Sequence, residues 1–460
     1  MSYAVIRLMI IIATMMRYKT TTIDVSSAYL HAMLDEPVYV YPPPGFEHLG
    51  KVLRLKRALY GLRQSAAVWQ KALNSFLVEN GYRRSAEDDC MYVSNPKGIT
   101  QPFTSVPCNL LFPTVGFFTI STTVDDLVIV SQHDADLTKF LTLFKSRFDF
   151  RDRGYIKEHV GFTVTGRTED GEVKISQPRV VDQLLKLTNL TNCNPAALPA
   201  DNKVYAKHTG EPINMREYMS LIGILNWLVT ISRPEIANTV RALSQHQQNP
   251  GPEHWDALLN LVRYLKGSRE RGVIYRAPLG KRPVILELMA ASDAGGGREG
   301  DGRFISGWLV GLKIRSAAGG TEPGGSTGLD IGNIFDWKSH KQRKPARGLM
   351  DAEATAHAEV LHRITWWRKV FSELGFRQEN PTEVLMDNQP LDTGLSRTNH
   401  ISGLEHMSTS DYIIYDRHNE GISKRVLVPG TSNPADILTK PLQKTKFQES
   451  LRIILGERMT

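Results

Sequence analysis

The stretch Thr119–Ser131, TISTTVDDLVIVS, constrains this chain most. Val, Ile and Thr dominate it, and such residues suit half-buried strands. Asp125 and Asp126 stand side by side in its middle. Neighbours on a strand point to opposite faces, so both acids can serve one site only where the chain turns. The stretch is therefore expected to form strand, tight turn, strand, with the acids at the tip. Two carboxylates about 4 Å apart repel by roughly 4 kcal/mol at an effective dielectric near 20. A cation would relieve that repulsion, and hard divalent ions such as Mg²⁺ take oxygen ligands. A solvated Asp-Asp turn is the alternative, and the surrounding sequence has to decide.

With 460 residues, the chain has room for two to four domains with cores of their own. Hydrophobic content of 41% and charged content of 23% are globular. A net charge of +8 favours a polyanionic partner. Cys90, Cys108 and Cys193 form no CxxC pair. That argues against a zinc site or a disulfide framework, and suits a reducing compartment. The apolar run Leu8–Met16, LMIIIATMM, is too short to span a bilayer. Arg17, Tyr18 and Lys19 follow it with no small-residue cleavage site, so a buried helix is expected rather than a signal peptide.

Residues 3–16 read as a helix leading into the β-rich run Thr20–Val25, with Asp24 at its end. A third carboxylate there, beside the hairpin, would complete a cluster suited to two metal ions clamping the oxygens of an in-line displacement. Tyr29 would wall such a pocket or serve as a core aromatic. Lys51–Arg84 carries Lys51, Arg54, Lys56, Arg57, Arg63, Lys71, Arg83 and Arg84 against the single acid Glu79, with Tyr60 and Trp69 interleaved. That mixture suits a phosphate backbone and stacked bases. An amphipathic helix through Asn74–Asn80 should stop at Gly81.

Downstream, Asp136–Phe148 and Val180–Leu187 read as helices, and Val160–Val164 and Val173–Ser176 as a strand pair around Glu169-Asp170-Gly171. Thr188–Pro212 reads as a linker. Tyr218–Thr230, Pro234–Gln245 and His254–Lys266 read as three helices, with Pro234 in a first turn. Val284–Met289, Gly307–Leu312, Ile334–Trp337, Glu383–Met386 and Arg425–Val428 read as strands, Asp351–Leu374 as a long helix and Asn433–Leu438 as the start of a last one. Gly295–Gly297 and Gly319–Gly328 read as loops, and Lys338, Lys341, Arg343, Lys344 and Arg347 as a second basic run. Asp293, Glu353, Asp387 and Asp436 would meet in one place. Four such acids without a basic partner would form a second two-metal site; singly, each is an ordinary surface acid or cap.

These residues carry a resemblance. The runs IDVSSAYLHAMLDEPVYVYPPPGF, LKRALYGLRQSAAVWQKAL, the VDD hairpin, SQPRVVDQLLK, SLIGILNWLVTISRPEIANTV, HWDALLNLVRYLKGS, WKSHKQRK and NPADILTKPL follow one another over nearly the whole chain. In that order they resemble the reverse transcriptase and ribonuclease H portion of copia-type LTR retrotransposon polyproteins. The resemblance implies an α+β chain: a reverse-transcriptase palm with incomplete fingers (1–165), a helical thumb or connection (166–282), a ribonuclease H-like mixed sheet with flanking helices (283–445) and a C-terminal tail (446–460). It implies RNA-directed DNA polymerase and ribonuclease H chemistry with Mg²⁺, or Mn²⁺ in its place. RNA template, DNA primer, RNA–DNA hybrid and deoxynucleoside triphosphates would be the partners, without a membrane, in a cytoplasmic virus-like particle. Asp24, Asp125 and Asp126 fall on the palm carboxylates, and Asp293, Glu353, Asp387 and Asp436 on the four ribonuclease H acids. Tyr29 falls on the aromatic that screens the sugar 2′ position. Arg63 and Gln64 fall near the segment that contacts nucleotide and template.

The chain also departs from the family. Thr123 stands where Tyr precedes VDD, SDAGGG (Ser292–Gly297) replaces SDADWAG, and MDAEA (Met350–Ala354) replaces TEAEY. His406-Met407-Ser408 replaces HID, and a Gly-rich stretch swells the loop before Ile334. Only a short helix precedes Asp24. A truncated, catalytically inactive nucleic-acid-binding relic, or a chain with ribonuclease H activity alone, therefore stand as alternatives to the two-activity enzyme.

Overall fold

The computed structural model describes residues 3–46, 48, 50–94, 117–200, 202–205, 207–278, 284–296, 302–316, 332–397 and 409–457. Cys108, Gly297, the Gly319–Gly328 loop and His406–Ser408 lie outside the described residues.

Helix α1 (Tyr3–Met16) is buried along almost all of its length. A helix apolar on nearly every side, with Arg7 its one charge, belongs in a core. It leads into β1 (Lys19–Val25). A 3-10 turn at Ala28–His31 follows, then β2 (Tyr39–Val40), β3 (Leu53–Arg54), α2 (Ser65–Glu79), β4 (Tyr82–Arg84) and β5 (Met91–Ser94). The hairpin strands are β6 (Phe118–Thr123) and β7 (Asp126–Ser131), followed by α3 (Asp134–Lys145) and β8 (Phe150–Gly154). Gly81 follows α2 at φ +87°, the left-handed position that ends a helix. Among the described residues the first sheet runs β4-β5-β6-β7-β1-β8, antiparallel throughout. Strand alternation sorts its faces. Leu127 and Ile129 of β7 join Ile23 and Val25 in a core with residues of α2 and α3, whereas Val128 and Val130 join the core that holds α1.

The middle of the chain forms β9 (Glu158–His159), β10 (Phe162–Arg167), β11 (Glu172–Ser176), α4 (Pro178–Leu187), α5 (Met215–Ile231), α6 (Ala237–Ser244), α7 (Pro252–Gly267) and β12 (Gly272–Arg276). Pro234 opens a 3-10 turn that runs into α6. β10 passes through the boundary expected at residue 165, and β12, which the residue pattern did not announce, pairs with β11. The stretch 188–212 is no loose linker. Its 3-10 turn Asn202–Tyr205 packs on α6 and α7, with Val204 fully buried.

The last part forms β13 (Val284–Gly295), β14 (Ile305–Ser316), β15 (Asp336–Lys341), α8 (Leu349–Glu373), β16 (Thr382–Met386), α9 (Gln389–Arg397), α10 (Thr409–Asn419), β17 (Ser423–Leu427), a 3-10 turn Pro434–Leu438 and α11 (Lys444–Leu455). The sheet order is β15-β14-β13-β16-β17, antiparallel through β13 and parallel beyond it, with α8 packed on β13 and β14. β13 stays paired as far as Gly295, so Asp293 lies inside a strand rather than at its end. β15 starts later than its apolar residues indicated and carries Lys338 and Lys341 itself. Residues expected to form a tail belong instead to α11, whose Phe447, Leu451, Ile454 and Leu455 share one buried face at helical spacing.

Candidate active sites

The β6–β7 hairpin closes on the pair Thr123 and Asp126, leaving Val124-Asp125 as a two-residue turn. Val124 sits at φ +52°, a region β-branched residues rarely enter. Two bonds hold it there. The buried Trp69 indole of α2 donates to the Val124 carbonyl at 2.5 Å, and the Val25 N–H donates to the Asp125 carbonyl at 2.8 Å. In the β1–β7 register Asp24 stands directly opposite Asp126, and opposed residues share a sheet face. The two strand acids thus meet on one face, with Asp125 at the tip beside them.

Arg153, on β8, joins them without any local pattern that singled it out. Its Nη2 lies 2.9 Å from Asp24 Oδ2 and its Nη1 3.6 Å from Asp126 Oδ1. Burial raises the Asp126 carboxyl pKa; Arg153 opposes that shift, and Asp125 and Asp24 add to it. A divalent ion shared by Asp24 and Asp126 would stand where this guanidinium lies, so the acids as arranged do not fit one.

Around them, the Tyr29 and Tyr60 rings pack with centroids 4.5 Å apart. The Tyr60 phenol is raised by burial and then by Asp125, Tyr29 and Asp24, which places Tyr60 at the site although only its basic surroundings had drawn attention to it. Arg63 is exposed. Gln64 precedes α2, where its carbonyl accepts the Val68 N–H at 3.0 Å. Neither side chain bonds the acids among the described residues. Thr123 lies 3.5 Å from Nε2 of buried His159, whose imidazole burial pushes down to about 4.

A second site forms around β13. Asp293 and Asp387 each lie two residues beyond the parallel pair Ala291–Leu385, and α8 supplies Glu353. Each of the three offers an oxygen within 4.8 Å of the others, and among the described residues they are the one such group. Asp293 is 2% exposed and Glu353 6%. Burial raises both carboxyls; the Asp436 charge adds to the shift at Asp293, and the charges of Asp293 and Asp387 add to it at Glu353. Two buried carboxylates and the half-buried Asp387, repelling one another, are the kind of oxygen donor set a hard divalent cation takes, so this group fits one.

The supporting contacts come from distant segments. Glu353 Oε2 accepts the Ala294 N–H at 3.1 Å, and the Thr439 hydroxyl donates to Asp293. Asn433 donates to the Ser292 carbonyl at 2.9 Å and to Asp387 Oδ1 at 3.2 Å, while its own oxygen caps Ala435 N–H. The turn can approach because Gly307 faces it: a Cβ there would come within 2.6 Å of Thr439 Cγ2. One helical turn past Glu353, His357 meets Ser292 Oγ at 3.1 Å through Nδ1, and burial pushes its imidazole down to about 3.

Asp436 corrects the expectation of four acids without a basic partner. It is fully buried and ion-paired to Lys440 at 2.7 Å and to Lys446. Lys440 also lies 3.8 Å from Asp293 Oδ2. The i,i+4 spacing of Asp436 and Lys440, and the docking of α11, bring two ammonium groups to the fourth carboxylate. Three acids gather; the fourth is neutralised beside them.

Lys51, Arg54, Lys56 and Arg63 are exposed and have no ion-pair partner among the described residues. A groove of about 780 Å³ between β15 and α8 is lined by Lys338, Lys341, Arg343, Lys344 and Arg363, with Asp351 and Glu359 among them. No helix among the described residues is long and apolar enough to cross a membrane.

Residues 1–202 match the family described as reverse transcriptase (RNA-dependent DNA polymerase). The chain is 26% identical to the "Retrovirus-related Pol polyprotein from transposon TNT 1-94" of Nicotiana tabacum, over 96% of this chain and 31% of that one. It is 27% identical to the corresponding polyprotein from transposon RE2 of Arabidopsis thaliana, over 98% of this chain and 28% of the other. The "Transposon Ty1-NL2 Gag-Pol polyprotein" of Saccharomyces cerevisiae matches at 24% identity over 65% of this chain and 17% of its own length. The chain thus spans less than a third of the curated relatives it matches.

Proposed function

Because the chain belongs with the Pol polyproteins of copia-type retrotransposons and carries their reverse transcriptase stretch, we propose that it copies RNA into DNA and cuts the RNA of the resulting hybrid. The observation that carries this reading is the register that sets Asp24 against Asp126, with Asp125 at the adjoining tip, inside the stretch matching the reverse transcriptase family. Template, primer and nucleotide would be the substrates, with the unpaired basic residues of Lys51–Arg63 along the nucleic-acid backbone. Tyr29, beside Tyr60, would line the nucleotide's sugar. The order β15-β14-β13-β16-β17, with acids on β13, on α8 and after β16, supports a ribonuclease H-like unit. Asp293, Glu353 and Asp387 would hold Mg²⁺ or Mn²⁺ there. Such an ion supplies Lewis-acid stabilisation of phosphoryl charge and an activated water. The chain's own part is to keep the three carboxylates converged, with Asp293 and Glu353 buried and with Thr439 and Asn433 orienting Asp293 and Asp387.

The test is a pair of assays on the purified chain. Asp125→Asn should abolish primer extension and spare cleavage of a labelled RNA–DNA hybrid; Asp387→Asn should do the reverse. Extension that survives Asp125→Asn removes the polymerase assignment, and cleavage that survives Asp387→Asn removes the nuclease assignment. A second reading, hybrid cleavage without polymerisation, is favoured by the contrast between the sites: Arg153 bridges Asp24 and Asp126, whereas Asp293, Glu353 and Asp387 converge with no cation bridging them and Lys440 standing 3.8 Å from Asp293. Cleavage with no extension under any nucleotide supply would establish it.

A further inference from the structure

Of the four acids around β13, three face one another and the fourth is already occupied. Asp293, Glu353 and Asp387 converge within 4.8 Å. Asp436 meets an ammonium on each carboxylate oxygen, Lys440 on Oδ1 at 2.7 Å and Lys446 on Oδ2. Lys440 also stands 3.8 Å from Asp293 Oδ2. We propose that this site takes a single divalent cation, and that the Lys440 ammonium supplies its second positive charge. The proposal rests on the reading of Asp293, Glu353 and Asp387 as a cation-binding set.

Charge and burial both argue for it. Four carboxylates face two ammonium groups, so one divalent ion completes the balance and a second would leave the pocket positive. The Asp436 side chain is 0% exposed, and an ion approaching it would have to displace both ammonium groups. Those groups are held in place. The Lys440 N–H donates to the Asp436 carbonyl at 3.1 Å, and Lys446 donates to the Gly430 carbonyl at 2.9 Å. Taking an ammonium from a buried carboxylate is the costly half of breaking a buried pair. The Lys440 side chain, by contrast, is 43% exposed. Its ammonium is thus pinned by a buried carboxylate on one side and open to solvent on the other, next to Asp293. A phosphoryl oxygen of a bound strand can meet it there. A fixed cation at that place stabilises charge developing on the phosphoryl group, and lysine does so as a point charge.

The experiment counts Mn²⁺ bound to the full chain by electron paramagnetic resonance, as the difference between the parent and a Glu353→Gln, Asp387→Asn double variant. The expected difference is one ion, with the spectrum of an isolated Mn²⁺ that has no spin coupling to a neighbour. Asp436→Asn should leave that count at one. A difference of two ions, or a coupled spectrum, would overturn the proposal and leave the cation-binding reading intact; no difference would overturn both. The role of Lys440 is tested by adding Lys440→Gln to Asp436→Asn, which removes both members of the pair and so buries no lone carboxylate. The combined variant should keep its circular dichroism and its one Mn²⁺. It should cleave an RNA–DNA hybrid about a hundredfold more slowly than Asp436→Asn alone, the scale of losing one preorganised donor. Equal cleavage by the two would overturn the role of Lys440. A parent that binds one ion and cuts no hybrid would uphold the count and tell against the nuclease reading instead.

Discussion

Val124 turns the hairpin at φ +52° with 47% of its surface exposed. A β-branched residue in that region is strained by roughly 1–2 kcal/mol. Asn tolerates the conformation, so Val124→Asn should raise stability by about 1 kcal/mol in chemical denaturation; a loss would contradict the turn geometry. His357 sets a pH dependence. Its folded pKa of about 3 lies below the ordinary 6.5, so the unfolded chain binds the proton first. Stability that is full above pH 6.5 is lost as pH falls toward 3, by about 2 kcal/mol at pH 5. The raised carboxyls of Asp293 and Glu353 act in the opposite sense, gaining protons in the folded state as pH falls. His357→Gln isolates the histidine and should flatten its share of the slope in pH-dependent denaturation; an unchanged slope would contradict it. Asp24, Asp125 and Asp126 were legible because the β-rich runs around them carry their own pattern, whereas Asp293, expected at a strand end, lies inside β13. Arg153 was not legible: FRDRG reads as a solvated charge run until β8 is laid beside β1.

Among the elements, α1, α2 and the hairpin were legible because each carries its own period and its own stop signal. β12 and α11 were missed for a shared reason. β12 is short and is defined by its pairing to β11, and α11 by the surface it covers. Phe447 of α11 packs against Tyr264 of α7, with ring centroids 5.8 Å apart. Phe447→Ala should destabilise the chain by about 3 kcal/mol and loosen Lys446 from Asp436, with hybrid cleavage falling alongside. Unchanged denaturation would show that α11 does not dock. Gly307→Ala tests the opposite face of the same region. Its Cβ would push the Pro434–Leu438 turn away, so hybrid cleavage should drop while primer extension persists. Equal loss of both would point to general unfolding rather than to the turn.

Across the described residues, one hydrophobic core runs from α1 through the middle helices to the β13–β17 sheet. Arg7 lies inside it. Its guanidinium donates to the carbonyls of Phe335, Thr230 and Ile231 at 2.7, 2.6 and 3.0 Å, and stacks 4.0 Å from Trp337. The end of α5 and the start of β15 are thus tied to the first helix, a relation no local pattern could reveal. Arg7→Ala leaves three carbonyls without that donor and should destabilise the chain by about 3 kcal/mol. Far-UV circular dichroism and tryptophan fluorescence should move together, and separate transitions would contradict a shared core. Two acidic sites stand on this one body. They are tested most directly by following extension and hybrid cleavage in a single reaction on a doubly labelled substrate. Asp125→Asn should stop only extension and Asp387→Asn only cleavage. Both activities surviving both substitutions would contradict that division.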